Sequence, residues 1–129
     1  MASPRILVVD DEQPLARVLA FAFENEGYRV EVACDGIDCM NKIVTFEPDV
    51  VLMDIMMPKL DGMETIRVLK RHRLHKGISI VVVSAKASAQ TQEEARDAGA
   101  DLFVKKPFQI ARLVEKVGGL LSSARPPRR

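Results

Sequence analysis

Acidic, hydroxyl and ammonium side chains stand directly after apolar runs of this sequence, at the points where those runs end. The side chains in such places are Asp10, Asp11, Asp54, Ser84 and Lys106. A carboxylate at the end of a buried strand loses much of its hydration, which is costly unless a cation lies beside it. Because the carboxyl ends of parallel strands meet at one edge of a sheet, we expect these groups to form a single site there.

The chemistry that these residue types favour is phosphoryl transfer assisted by a metal ion. Three carboxylates at one edge repel one another, so they need a hard cation, and oxygen ligands of this kind suit octahedral Mg²⁺, which Mn²⁺ can replace. Asp54 is the lone acid on the central strand and the best candidate for a nucleophile that attacks phosphorus. The pair Asp10 and Asp11 looks like a metal-holding unit, while Lys106 and Ser84 would supply an ammonium and a hydroxyl to neutralise and position a phosphate.

Each of these features has a structural explanation when it is taken alone. Asp10 and Asp11 could cap the N-terminus of a following helix, and Asp54 could be a turn residue. Ser84 alone carries almost no information, and a lysine pair at 105–106 is usually solvated. Their coincidence at four strand ends favours a shared site.

The elements that would position these residues alternate regularly along the chain. Buried, β-branched runs predict strands, and apolar residues at helical spacing between turn or capping residues predict helices. The predicted strands are Ile6–Val9, Tyr28–Ala33, Val50–Met53, Ile78–Val83 and Leu102–Val104. The predicted helices are Pro14–Gly27, Ile37–Val44, Met63–Leu69, Gln90–Ala98 and Ile110–Leu121. Five strands alternating with five helices predict an α/β fold, a parallel sheet covered by helices on both faces.

Two details of the helices are interpreted from spacing and charge. The second helix is marked by Ile37, Met40, Ile43 and Val44, which recur at helical spacing. The basic run 70–73 ends the third helix and is interpreted as a solvated face. Residues 122–129 are predicted to form a flexible basic tail after a domain that covers residues 5–121.

Length and composition place limits on the class of protein. The chain has 129 residues with 19 basic and 18 acidic side chains, which indicates one domain without a nucleic-acid surface. It lacks an apolar run of about 18 residues and an N-terminal signal pattern, so we expect no membrane association and a cytoplasmic location. Cys34 and Cys39 have no metal or redox motif around them and are expected to be reduced and partly buried.

Several segments together resemble the receiver domain of two-component response regulators, in particular the chemotaxis-type single-domain receivers. The matching segments are Ile6–Asp11, Met53–Pro58, Asp61–Gly62, Val83–Ala85 and Lys106–Phe108. The resemblance implies a doubly wound, flavodoxin-like sheet with strand order 2-1-3-4-5.

The resemblance also implies a role for each residue of the site. Asp54 would accept a phosphoryl group from the phosphohistidine of a histidine kinase or a phosphotransfer protein. Mg²⁺ would be held by Asp11, Asp54 and the backbone carbonyl of Met56, with Asp10 helping through water. Lys106 would pair with Asp54 and the phosphoryl oxygens, and Ser84 would bond to one of those oxygens. A cis bond is expected between Lys106 and Pro107.

The implied output is a change of protein partner, not turnover of a substrate. Ser84 stands where Thr is more frequent, and Phe103 takes the place of a switch aromatic that is often Tyr. These two residues would couple the site to a surface made by the fourth helix, the fifth strand and the fifth helix. The partner would be another protein or an output domain absent from this chain, and the receiver would be a monomer or a phosphorylation-dependent dimer.

Two other functions use related residues. A phosphohydrolase with an aspartyl nucleophile needs a second acid two residues later, and that residue here is Met56. A flavin-binding module needs a phosphate-binding loop after the first strand, where the acids at 10–12 would repel the flavin phosphate. The sequence therefore favours the signalling switch over both.

Overall fold

A computed structural model of the chain describes residues 3–57, 61–71 and 77–122. It contains a five-stranded parallel sheet in the order β2-β1-β3-β4-β5, which confirms the predicted fold. The strands are β1 (Arg5–Val9), β2 (Arg29–Ala33), β3 (Val50–Met53), β4 (Ser79–Ser84) and β5 (Leu102–Lys105). The helices are α1 (Gln13–Asn25), α2 (Gly36–Phe46), α3 (Gly62–Arg71), α4 (Ala89–Ala98) and α5 (Ile110–Ser122).

Alternation along the central strands creates two apolar cores, one on each face of the sheet. Ile6 and Val8 of β1 face the core that is completed by α1 and α5. Leu7 and Val9 of the same strand face the core that is completed by α2, α3 and α4. Because both faces are covered, β3 and β4 consist almost entirely of buried apolar residues, which is why their sequences predicted strands so clearly.

The second helix forms as predicted, but most of the apolar residues that marked it do not face the core. Ile37 and Val44 are 78% and 67% exposed. The buried residues of α2 are Cys39, Ile43 and Phe46. This helix carries two apolar stripes at helical spacing, and the sequence alone does not reveal which of them meets the sheet.

The interpretation of the basic run at the end of the third helix as a solvated face is wrong for Lys70. Lys70 Nζ lies 2.9 Å from Asp101 Oδ2 and 2.9 Å from the carbonyl oxygen of Ile78. Lys70 therefore connects α3 to the strands instead of extending freely into water. The other described member of the run, Arg71, pairs with Glu64 at 3.4 Å.

Some predictions concern residues outside the described ranges. They include His72 and Arg73 of the basic run, Pro58 of the loop after β3, and residues 123–129 of the tail. Ser122, the first residue assigned to that tail, belongs to α5.

The two thiols lie in different environments. Cys34 follows β2 and is exposed, whereas Cys39 is a buried residue of α2 that faces the core. Burial raises the pKa of the Cys39 thiol to about 12. Among the described residues, no helix has the length and apolar character that crossing a membrane would require.

Candidate functional site

The parallel pairing of β1 with β3 brings two of the predicted acids together. Val9 pairs with Met53 in the sheet register, so the next residues, Asp10 and Asp54, leave the sheet side by side. The Asp54 N–H donates to the carbonyl oxygen of Val9 at 3.1 Å, which continues the ladder for one residue beyond β3. Both acids are buried.

The edge strand β5 supplies the cation at the same carboxyl edge of the sheet. Ser84 pairs with Lys105 at the end of β5, and the Lys106 N–H donates to the carbonyl oxygen of Ser84 at 2.9 Å. The peptide bond between Lys106 and Pro107 is cis, as predicted. Lys106 Nζ lies 3.0 Å from Asp54 Oδ2 and 3.7 Å from Asp10 Oδ2, whereas Lys105 is exposed.

The two oxygens of Asp54 accept different hydrogen bonds. Oδ2 accepts from the Lys106 ammonium, and Oδ1 accepts from the backbone N–H of Met56 at 2.9 Å. The turn that provides this N–H leaves the Met56 side chain 56% exposed beside the acid. A carboxylate bonded through both oxygens in this way is held in a fixed orientation.

The electrostatics of the site reflect burial and the imbalance of its charges. Burial raises the pKa of Asp10, and the negative charge of Asp54 raises it further. The hydrogen bond from the N–H of Glu12 and the positive charge of Lys106 act in the opposite direction, but each is weaker than the effect of burial. Burial alone would lower the pKa of Lys106. The hydrogen bond and charge of Asp54, together with the charge of Asp10 and the hydrogen bond of Glu12, outweigh that effect and raise the pKa of Lys106.

One carboxylate that sequence reasoning did not select belongs to the site. Oxygens of Asp10, Glu12 and Asp54 all lie within 4.8 Å of one another. Glu12 Oε1 also lies 3.3 Å from Lys106 Nζ. The acidic run 10–12 contains Glu12, but the sequence alone does not distinguish an acid of the site from an acid at the start of a helix.

The predicted metal residue Asp11 occupies a different place from its neighbours. Its side chain is exposed, and its carboxylate is not one of the three that converge. The explanation of Asp10 and Asp11 as helix caps does not hold either, because the N-cap of α1 is Glu12 and no side chain caps it. Instead, Asp10 Oδ1 accepts the N–H of Glu12 at 2.8 Å, which turns the chain from β1 into α1.

Ser84 and Phe103 lie where the site meets the α4, β5 and α5 surface. Ser84 is fully buried, and its Oγ accepts the N–H of Lys86 at 3.1 Å. Phe103 is half-buried and lines a groove of about 400 Å³ together with Phe108 and Leu113. Phe103 packs against the core that contains Ile80 and Val82 of β4, so it lies on the α3 and α4 side of the sheet.

A close approach fixes the loop after the acid against α3. A side chain at Gly62, the first residue of α3, would place its Cβ 2.8 Å from the Cα of Ile55, so only glycine fits there. Since Ile55 directly follows Asp54, the start of α3 supports the segment that carries the acid.

Comparisons with known proteins agree with this geometry. The family model described as "Response regulator receiver domain" matches residues 6–118. The response regulator MprA of Mycobacterium bovis is 36% identical over 124 residues, which are 96% of this chain and 53% of that protein. This chain thus spans about half the length of the curated relatives it matches.

Solved structures show the same likeness. The crystal structure of a response regulator signal receiver domain from Bermanella marisrubri is 38% identical, has a TM-score of 0.85, and covers 93% of this chain and 99% of its own. A CheY-like response regulator receiver domain protein from Methanospirillum hungatei is 32% identical with a TM-score of 0.84, covering 92% of this chain and 94% of its own.

Proposed function

The chain belongs to the receiver domain family of two-component response regulators, whose members are phosphoacceptors, and from this premise we propose that Asp54 accepts a phosphoryl group from a histidine kinase in a Mg²⁺-dependent reaction. The observation that carries the proposal is the contact of 3.0 Å between Lys106 Nζ and Asp54 Oδ2. It joins a buried carboxylate at the end of the central strand to an ammonium that follows the edge strand β5. Such a pair can serve both as nucleophile and as a partner for the phosphoryl oxygens.

The transfer itself needs no base, because an ionised carboxylate already carries the attacking electron pair. One oxygen of Asp54 forms a bond to phosphorus, and the bond between phosphorus and the donor nitrogen breaks. The imidazole leaves with that electron pair and is neutral when its other nitrogen carries a proton. Lys106 pairs with a phosphoryl oxygen, while the Ser84 hydroxyl donates to another.

The acidic cluster has the donor chemistry that Mg²⁺ prefers. Three carboxylates surround one ammonium, so the cluster keeps an excess of negative charge. We propose that Asp10, Asp11, Asp54 and the backbone carbonyl of Met56 hold the ion. Asp11 would join by turning its exposed side chain inward. Bound Mg²⁺ would neutralise charge on the phosphoryl group during transfer.

We further propose that phosphorylation changes the α4, β5 and α5 surface and so the protein partner that binds there. When Ser84 turns toward the phosphoryl group, it leaves its hydrogen bond with the N–H of Lys86. That movement frees space beside Phe103 and changes the wall of the groove, which gives two states with different surfaces. The groove, whose wall includes Phe103, Phe108 and Leu113, supports this surface as the place of partner exchange.

Intact mass spectrometry tests the phosphoacceptor role directly. After incubation with acetyl phosphate and Mg²⁺, the protein is expected to gain one phosphoryl group, and Asp54→Asn is expected to gain none. Asp97→Asn is the matched control, because Asp97 is an exposed acid on α4. Equal phosphorylation of the parent and Asp54→Asn, or none in the parent, would contradict the proposal, and full phosphorylation in the presence of EDTA would contradict its dependence on Mg²⁺.

Amide chemical shifts test the switch separately. Beryllofluoride mimics the aspartyl-phosphate, and its addition with Mg²⁺ is expected to shift amide resonances along residues 84–113. Shifts that stop at the acidic cluster would show that the phosphoryl site does not communicate with the groove.

A further inference from the structure

Glu12 occupies an unusual position for a residue that begins a helix. It is the N-cap of α1, where a side chain commonly accepts a backbone N–H of the first turn, yet its side chain makes no such bond. Its carboxylate reaches instead to Lys106 Nζ at 3.3 Å, across 94 residues of sequence. The side chain of Glu12 is therefore directed to the site and not to its own helix.

The three acids around Lys106 differ in depth. Asp10 and Asp54 are buried, whereas the side chain of Glu12 is 64% exposed and that of Lys106 is 16% exposed. Glu12 thus contacts the ammonium from the solvent side, and the two aspartates contact it from within. A phosphodonor must approach Asp54 from the same solvent side.

We propose that Glu12 is a positioning residue that holds, on Lys106, the place that a phosphoryl oxygen takes during transfer. This inference rests on the proposed function, since it concerns the same ammonium. In the resting protein the hydrogens of Lys106 are directed to Asp54 and Glu12. When the donor arrives, an anionic phosphoryl oxygen replaces the carboxylate of Glu12 on the ammonium.

Such a placeholder competes with the donor but does not take part in bond formation. It should therefore raise the donor concentration needed for half-maximal phosphorylation and leave the limiting rate unchanged. The effect should be modest, because an ion pair that involves an exposed carboxylate is screened by water.

Phosphorylation kinetics with acetyl phosphate at saturating Mg²⁺ provide the test. Glu12→Gln is expected to lower the half-saturating concentration of acetyl phosphate by about two- to fivefold, with the limiting rate unchanged. Glu24→Gln is the matched control, because it removes the same charge from an exposed position of α1. No change is expected there.

Glu12→Asp separates contact with Lys106 from charge alone. Its carboxylate is one methylene shorter and retreats from Lys106, but the charge at the solvent side remains. A decrease of the half-saturating concentration in Glu12→Asp as well as in Glu12→Gln supports competition for the ammonium. A decrease in Glu12→Gln alone would show a general charge effect and overturn the proposal.

A second measurement does not depend on activity. In Mg²⁺-free buffer, the side-chain ammonium resonance of Lys106 is expected to shift in Glu12→Gln and not in Glu24→Gln. An unchanged resonance, or a loss of Mg²⁺ affinity in Glu12→Gln, would overturn the placeholder role, the latter by assigning Glu12 to the metal. A parent protein that gains no phosphoryl group would instead refute the phosphoacceptor role itself, so the two failures are distinguishable.

Discussion

The ionic contacts at the two edges of the sheet differ in their balance of charge. At the amino edge, Lys70 Nζ pairs with Asp101 Oδ2 at 2.9 Å, and the same oxygen accepts the N–H of Ile80 at 2.8 Å. At the carboxyl edge, the single ammonium of Lys106 lies within 3.7 Å of three carboxylates. The pair at the amino edge is balanced, whereas the cluster at the carboxyl edge has more acids than ammonium groups.

The difference separates a structural ion pair from a functional cluster. A balanced pair that also bonds to the backbone connects elements that are distant in sequence, here α3 to the start of β4 and β5. An unbalanced cluster costs stability, because like charges repel and burial opposes ionisation. A bound cation would offset this repulsion, which is the role proposed for Mg²⁺.

The largest effect at the carboxyl edge is expected from Asp54→Asn, which should remove phosphorylation without lowering stability. Phosphorylation should be lost completely, because the amide cannot attack phosphorus. The free energy of unfolding in Mg²⁺-free buffer should equal that of the parent or exceed it, since one of three repelling charges is removed while the bond from Met56 N–H remains available. Urea denaturation measures this, and a loss of several kcal/mol would assign Asp54 a structural role and break the comparison.

The counterpart at the amino edge is Asp101→Ala. This change leaves the buried N–H of Ile80 without its acceptor and Lys70 without its charge partner, so the free energy of unfolding is expected to fall by about 1–3 kcal/mol. Phosphorylation by acetyl phosphate should persist under native conditions. Asp97→Ala serves as the control for loss of an acid, and a parent-like midpoint for Asp101→Ala would show that the amino edge does not stabilise the fold.

The rate at which the phosphorylated protein loses its phosphoryl group depends on the side chains around the acids at the carboxyl edge. The exposed side chains of Met56 and Lys86 flank the site, and neither can accept the proton of an attacking water. The double variant Met56→Asn with Lys86→Glu should therefore speed Mg²⁺-dependent loss of the phosphoryl group by about tenfold, which corresponds to about 1.4 kcal/mol. Mass spectra taken at intervals after removal of acetyl phosphate give the rate, and slower or unchanged decay would show that these side chains do not orient the water.

The smallest expected effect is a pH dependence of stability at the carboxyl edge, which arises from Asp10. Burial raises the pKa of Asp10 from its usual 3.8, so the fold favours the protonated acid. The stability that the folded protein gains by binding this proton is fully present below pH 3.8 and is lost as the pH rises through the folded-state pKa of Asp10.

The neutral variant Asp10→Asn should therefore be more stable than the parent at pH 7 in Mg²⁺-free buffer, with the advantage shrinking as the pH falls toward 3.8. Asp101→Asn, which weakens a balanced pair, should be less stable than the parent at pH 7. Urea midpoints at a series of pH values measure both, and an advantage of Asp10→Asn that grows toward low pH would have the wrong sign.

Much of the fold could be predicted because its signals are local. Runs of β-branched residues predict the buried strands. Because the carboxyl ends of parallel strands lie at one edge of a sheet, Asp10, Asp54 and Lys106 are predicted to meet there without any knowledge of their contacts. The structure confirms that meeting. The metal-binding roles of Asp11 and the Met56 carbonyl stay predictions, as does the part of Ser84 in binding the phosphoryl group.

The errors arose where the deciding partner is remote in sequence. Lys70 was interpreted as solvated because its acid, Asp101, stands 31 residues away. Glu12 was passed over because its partner Lys106 is 94 residues away. For α2, the apolar stripe through Ile37 and the buried one are both regular, and only the docked sheet distinguishes them.

The unequal environments of the two thiols make this protein convenient for optical work without further engineering. Cys34 follows Ala33, whose carbonyl oxygen accepts the N–H of Asp10 at 3.1 Å, so the backbone next to the exposed thiol is bonded to the start of the acidic run. Cys39 is buried, and the raised pKa of its thiol keeps it unreactive toward maleimides. A maleimide dye should therefore attach at Cys34, and a change of its emission on addition of Mg²⁺ or acetyl phosphate would test the proposed binding in real time.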